Sequence, residues 1–185
     1  MPRSSARPLR ARLRSDMTLR AGTPADAEAL HALITAHQAE GHLLPRRLAE
    51  LSARAGRFVV CEVEGVVRAC AELAPLSGSL AEVRSLVVSR EIRRTGAATR
   101  LLAALRQRAL DDGYEALCAF THDARFFVRQ NFSMVPHQWL PDKIAKDCAT
   151  CPLFRRCGQY AMVMQLKETV RYGVDDVEDR RVAVA

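Results

Sequence analysis

The chain of 185 residues is poor in aromatics, at 5% with a single Trp, and holds only 9 Gly and 8 Pro. So little Gly and Pro excludes a collagen-like or low-complexity chain. No run of 18 apolar residues occurs, so no membrane-spanning helix is expected. The Arg-rich start, residues 1–16, has no apolar stretch of the kind a secretory signal needs. Without that signal, the six cysteines are not expected to form a disulfide framework. Cytoplasm is the default compartment.

What is present is a globular composition, 49% apolar and 26% charged, long enough for one domain with a real core. The net charge is +7, but residues 1–16 carry five Arg against Asp16, and the rest of the chain is only +3. A mildly basic body suits a small anionic molecule better than a nucleic acid, and no stacking aromatics alternate with cations. Residues 1–16 are expected to be a disordered basic extension, and 167–185 a solvated tail. The domain proper is expected over 17–166, with a Cys-rich loop at 147–158.

Periodicity within the domain predicts an α+β order. Met17 to Arg20 reads as extended. Thr23-Pro24 signals a helix start, and the apolar spacing carries it to about Gln38. A second helix is expected from Pro45 to Arg54, with Leu44, Leu48 and Leu51 on one face. Arg57 to Val63 and Val66 to Leu73 form a hairpin around Glu64-Gly65. Glu82 to Ser89 reads as a central strand buried on both faces. Gly96 to Leu110 is a helix with Ala97, Leu101, Leu105 and Ala109 on its inner face. Tyr114 to Phe120 is a strand, Ala124 to Gln130 a short helix, Phe132 to Val135 extended, and Tyr160 to Leu166 a last strand. Cys61, Cys70 and Cys118 read as core residues, His31 and His37 as surface residues, and Trp139 as a loop anchor.

The segment Arg93-Arg94-Thr95-Gly96-Ala97-Ala98 joins the buried strand to the long helix. A helix start offers free N–H donors and a partial positive charge, which together make an anion site. Small residues let a phosphate come close to the backbone, and two arginines add cations at the rim. An ordinary strand–helix turn with solvated arginines would read the same way.

In its setting after Glu82-Val-Arg-Ser-Leu-Val-Val, that R-x-x-G-x-A turn resembles the acetyl-CoA signature of the GNAT superfamily of N-acetyltransferases. Phe126-Phe127-Val128-Arg129-Gln130-Asn131-Phe132 resembles the superfamily's F-Y-x-x-x-G-F, and the likeness covers Met17 to about Leu166. It implies a mixed, mostly antiparallel sheet with helices on both faces. It also implies a bulged strand that splays from its neighbour and opens a slot for acetyl-CoA, the co-substrate. Cofactor contacts then fall to Leu86, Val87, Val88, Arg93, Arg94, Thr95, Gly96, Ala97, Ala98 and Phe127. The superfamily's usual Tyr stands at Phe127 here, so the acid that protonates the leaving thiolate is unassigned.

Gly41-His-Leu-Leu-Pro-Arg46-Arg47, Ala81 to Leu86, Phe120-Thr121-His122 with Arg125-Phe126-Phe127, and Leu140-Pro141-x-Lys143-x-x-Lys146-Asp147-Cys148 look most like the short, single-domain N-acetylglutamate synthases. This implies direct acetyl transfer to the α-amine of glutamate, the first step of arginine biosynthesis. Glutamate carries two carboxylates, so its site needs cationic clamps. Arg84 shares a strand face with Glu82, Arg46 could reach in from the second helix, and Thr121 is a third substrate candidate. The amine must lose a proton. Glu82 is the first candidate base and His122 the second. A backbone N–H near Leu86 or Val87 would polarise the thioester carbonyl.

Cys148-x-x-Cys151-x5-Cys157 has metal-friendly spacing, so a structural zinc is one expectation, with His137 the nearest fourth ligand. Three reduced thiols in a loop anchored by Leu153 and Phe154 are the other. Two rival functions stand beside the main reading. One is a GNAT acting on a different amine, which a neutral or acidic acceptor slot would favour. The other is a non-enzymatic binding module using the basic arm and the cysteines. No nucleic acid or membrane partner is expected. The sequence leaves the oligomeric state open, a homodimer included.

Overall fold

The computed structural model describes residues 16–38 and 43–167. The expectations for the basic arm, for the Gly41-His42 break and for the tail beyond Lys167 lie outside them.

Seven strands form one mixed sheet in the order β1-β2-β3-β4-β5-β7-β6. They are β1 Met17–Ala21, β2 Phe58–Val63, β3 Val66–Pro75, β4 Leu80–Val88, β5 Ala116–Thr121, β6 Ser133–Val135 and β7 Tyr160–Gln165. All neighbours pair antiparallel except β4 and β5, the pair joined by a helical crossover. The crossover helix α3, Ala97–Asp111, packs on one sheet face. Ala97, Leu101, Leu105 and Ala109 are buried there beside Val83, Leu117 and Met162. Helices α1, Ala27–Gln38, and α2, Leu48–Arg54, cover part of the other face, where Leu30, Ile34 and Leu51 meet Phe58, Val60 and Cys70. The expected sheet with helices on both faces is therefore present. Glu64 and Gly65 both have positive φ, 52° and 75°, the backbone of a tight hairpin turn.

The second helix departs from expectation. It starts at Leu48, because Arg47 is still extended, with φ −80° and ψ 141°. Only Leu51 of the supposed apolar face is buried, and Leu44 and Leu48 are exposed. The side chain that turns inward from this stretch is Arg46, drawn to a buried carboxylate. Trp139, Leu153 and Phe154, expected as anchors, are also exposed. His37 is half-buried, its Nδ1 2.7 Å from the Leu33 carbonyl.

Two short elements complete the chain after β5. Helix α4 is Ala124–Val128, started by the Asp123 side chain accepting the Arg125 N–H. Helix α5, Pro141–Lys143, runs on into a π-turn over Ile144–Cys148, closed by the Ala149 N–H donating to the Ile144 carbonyl at 2.9 Å. The sequence patterning did not mark α5. No described helix is long and apolar enough to cross a membrane.

Candidate active site

Strand β4 makes the site by being irregular. Its register with β3 shifts between Cys70 and Glu72: Cys70 faces Val87, while Glu72 faces Arg84. The extra residue makes a bulge, and Ser85 stands there at φ 47°, a left-handed position that costs a non-glycine residue free energy. Beyond Glu82, β4 and β5 part. They pair only from Leu80 to Glu82 against Ala116 to Cys118, while Ala119 to Thr121 pair with β7 instead. A slot opens between two parallel strands at the C-terminal end of the pair, where open sheets of this kind take ligands.

The start of α3 lies past the end of β4. Arg94 at φ 64° and Gly96 at φ 91° wind the chain tightly into the helix. The first intrahelical donor is the Arg100 N–H, bonded to the Gly96 carbonyl at 3.0 Å. The N–H groups of Ala97, Ala98 and Thr99 therefore have no acceptor within the helix. Thr95 is buried, and its hydroxyl donates to the Ile92 carbonyl at 2.6 Å, so it ties the turn together rather than facing the slot. Arg93 Nε donates to the Val88 carbonyl at 3.2 Å, which links the turn to the end of β4. Arg94 is exposed.

At the fork of the slot, one sheet face gathers the charged residues. Glu82 and Arg84 sit two apart on β4, with Glu72 opposite Arg84 on β3. Arg84 Nε donates to Glu82 Oε2 at 2.6 Å. Lys143, from α5, donates to both Glu82 oxygens at 2.8 Å and to Asp147 Oδ2 at 3.0 Å. Arg84 Nη2 donates to that same Asp147 oxygen. The Lys143 ammonium also lies 5.1 Å from the Phe120 ring centroid, a cation–π contact. Burial opposes the charge of Arg84, but Glu82 and then Asp147 more than offset this and raise its pKa. Burial likewise opposes the Asp147 charge, and Lys143 and Arg84 overcome it, holding the carboxyl below its ordinary value.

A second ion pair lies on the same face. Arg46 Nη1 donates to Glu72 Oε2 at 2.9 Å and to Ser85 Oγ on the bulge at 3.1 Å. Its Nη2 is 3.0 Å from Glu50 Oε1, an ion pair by distance that lacks hydrogen-bond alignment. Glu72 is fully buried, and its Oε1 makes no hydrogen bond to the protein. Breaking such a buried pair from one side is expensive.

The structure thus brings Glu82, Arg84 and Arg46 together. Thr121 and His122 follow Phe120 at the end of β5, and the Thr121 hydroxyl makes no hydrogen bond to that cluster. His122 is on the exposed loop past β5, its ring beside Gly158. The Thr121 hydroxyl takes the Asp123 N–H at 3.0 Å in a local turn. Phe127 is 6% exposed and packs edge-on against Phe126 and Phe132, at 5.2 and 5.1 Å between ring centroids. Lys143, Asp147 and Glu72 are additions. Glu72 was visible as a lone carboxylate in an apolar strand, and Lys143 and Asp147 as an i,i+4 pair in a motif quoted above without a role. Two core thiols are held protonated: burial pushes Cys70 up to about 12 and raises Cys118 as well.

The zinc expectation finds no support. Burial first, and then the neighbouring Cys157 and Cys151, raise the Cys148 thiol, so the three cysteines are near one another. Yet no three His, Cys, Asp or Glu side chains among the described residues stand where they could hold a metal ion together. Cys157 is exposed, and His137 is engaged elsewhere, its Nε2 2.8 Å from the Gln159 carbonyl. The ligand set that the spacing suggested does not close in the fold.

A bulged strand parting from its parallel neighbour toward an open helix start is the arrangement that the resemblance to the N-acetyltransferases implied. The chain belongs to the Acetyltransferase (GNAT) family, whose profile matches residues 26–132. An uncharacterized N-acetyltransferase of Chlorobaculum tepidum is 29% identical over 152 residues, 82% of this chain and 98% of its own length. The amino-acid acetyltransferase of Pasteurella multocida is 29% identical over 128 residues, 68% of this chain, which spans only 29% of that longer protein. Among solved structures, the fold is shared with N-acetylglutamate synthase from Neisseria gonorrhoeae complexed with coenzyme A and N-acetyl-glutamate. There the TM-score is 0.74 at 24% identity, covering 82% of this chain and 35% of that one. The protein is an N-acetyltransferase that uses acetyl-CoA.

Proposed function

We propose that the acceptor is the α-amine of an amino acid, L-glutamate first among them, which would give the chain the opening reaction of arginine biosynthesis. The observation that carries this reading is Glu82 held between Arg84 and Lys143 at the fork of the slot. A base lies beside two cations, one arrangement that can receive an amine and its neighbouring carboxylate together. The names of the longer relatives, amino-acid acetyltransferases, support it.

In this reading the Ala97, Ala98 and Thr99 amides hold the coenzyme's pyrophosphate, with Arg93 and Arg94 at the rim. Leu86, Val87 and Val88 run along the pantetheine arm, and an amide near Leu86 or Val87 points at the thioester oxygen. Glu82 takes a proton from the ammonium. The amine attacks the carbonyl carbon, the N–C bond forms, the C–S bond breaks, coenzyme A leaves as the thiolate, and the second proton on the nitrogen is lost to solvent. Phe127 has no hydroxyl with which to protonate it. Arg84 and Arg46 bind the carboxylates.

One observation favours a second reading, a GNAT acting on an amine without carboxylates. Around the fork, Arg46, Arg84 and Lys143 face Glu50, Glu72, Glu82 and Asp147, three cations against four carboxylates. Free-thiol release from acetyl-CoA across an acceptor panel separates the two. Glutamate turnover well above aspartate, glutamine and polyamines is expected, and polyamine turnover above glutamate would reverse the choice. Arg84→Ala should raise the glutamate KM about 10- to 100-fold, the loss of one strong charge-assisted contact; unchanged kinetics would remove its clamp role.

A further inference from the structure

Asp147 is mounted differently from the other carboxylates at the fork. Glu72 and Glu82 project from central strands, and their side chains are 1% and 4% exposed. Asp147 comes from the π-turn after α5, and its side chain is 33% exposed. It uses one oxygen, Oδ2, to bridge Arg84 and Lys143, the same two cations that flank Glu82. In an α-amino acid the carboxylate is separated from the amine by one carbon. An amine placed against Glu82 therefore brings its carboxylate to where Asp147 now sits. The two anions cannot share that place, since like charges a few ångströms apart repel.

We propose that Asp147 is a displaceable counter-anion: it occupies the seat of the acceptor's α-carboxylate between Arg84 and Lys143, and acceptor binding turns it out toward solvent. The inference rests on the reading that the acceptor bears a carboxylate. It accounts for the carboxylate excess at the fork, since one of the four anions leaves when the acceptor arrives. Arg84 and Lys143 stay neutralised throughout, so two half-buried cations never face each other uncompensated. Asp147 thereby raises the acceptor KM and acts as a specificity filter, because an amine with no carboxylate offers nothing in exchange.

The test compares Asp147→Asn with the unaltered full chain. The glutamate KM should fall about five- to tenfold, the scale of one competing ion pair, while the acetyl-CoA KM stays put. Asp147→Glu, which keeps the charge, should show no such fall, and neither should an amine lacking carboxylates. A glutamate KM that rises or does not move in Asp147→Asn overturns the proposal and makes Asp147 a fixed support for Arg84. If neither protein acetylates glutamate, the functional reading has failed by itself. Calorimetric titration with glutarate, which has no amine, then decides the seat. Tighter glutarate binding by Asp147→Asn upholds the exchange, and equal or absent binding in both proteins rejects it.

Discussion

The two halves of the slot are built from different materials. The coenzyme half is made of backbone: a bulge at Ser85, two left-handed residues at Arg94 and Gly96, and the open N–H groups of α3. The acceptor half is made of side chains from β3, β4, α5 and the stretch before α2, each held by another's charge. A backbone site is local and tolerates changes of side chain. A side-chain network is global, and a single removal leaves a buried partner charge uncompensated.

Four changes sharpen or break this contrast. Glu82→Gln should lower kcat about 10²- to 10⁴-fold, the usual worth of a general base, while acetyl-CoA binding measured by calorimetry stays intact. A loss below tenfold would pass the proton to another group. Glu72→Ala should cost about 3 kcal/mol in a denaturant melt, because the half-buried Arg46 would lose its buried partner and keep only the more exposed Glu50. If stability holds, the acceptor half is less interdependent than described.

Asp26→Asn is a control outside both halves. Arg20 donates to Asp26 at 2.7 Å and to Glu62 at 2.5 Å, and Thr23 adds its N–H and hydroxyl to Asp26 at 2.7 and 2.9 Å. Arg20, working against burial, holds the Asp26 carboxyl well below its ordinary value of 3.8. The folded pKa lies below the unfolded one. The contribution is therefore fully present above about pH 4 and lost as the pH falls through the folded value. The variant should lose about 2 kcal/mol at pH 7 and show a shallower acid limb, with kinetics unchanged. Altered kinetics would tie β1 to the slot.

Gly96→Val should have the smallest effect, about 1 to 2 kcal/mol for a branched residue forced to φ 91°. It should raise the acetyl-CoA KM about tenfold and spare the glutamate KM. Equal damage to both would mean that the halves are not separable.

The proposed coenzyme half is the more local one. Phe127 aside, its parts lie within one stretch, from Leu86 through Ala98, and its chemistry rests on small residues at a helix start. The acceptor half was legible only in part. Arg84 and Glu82 are two apart on one strand, so their shared face follows from the pleat. Arg46 was named as a reach across the wall, but the carboxylates that hold it were not. Glu72 passed as one polar residue among apolar ones. For the Cys-rich loop, ligand spacing in the chain is not accompanied by a ligand cluster among the described residues.

The sequence by itself determined the strand and helix order apart from α5, the hairpin turn, the inner face of α3 and the open amides at its start. These rest on periodicity and on contacts within a few residues. Only the tertiary structure decided which carboxylate meets which cation. Those pairs join residues up to 63 positions apart, and nothing short of the closed sheet sets which charges are buried together.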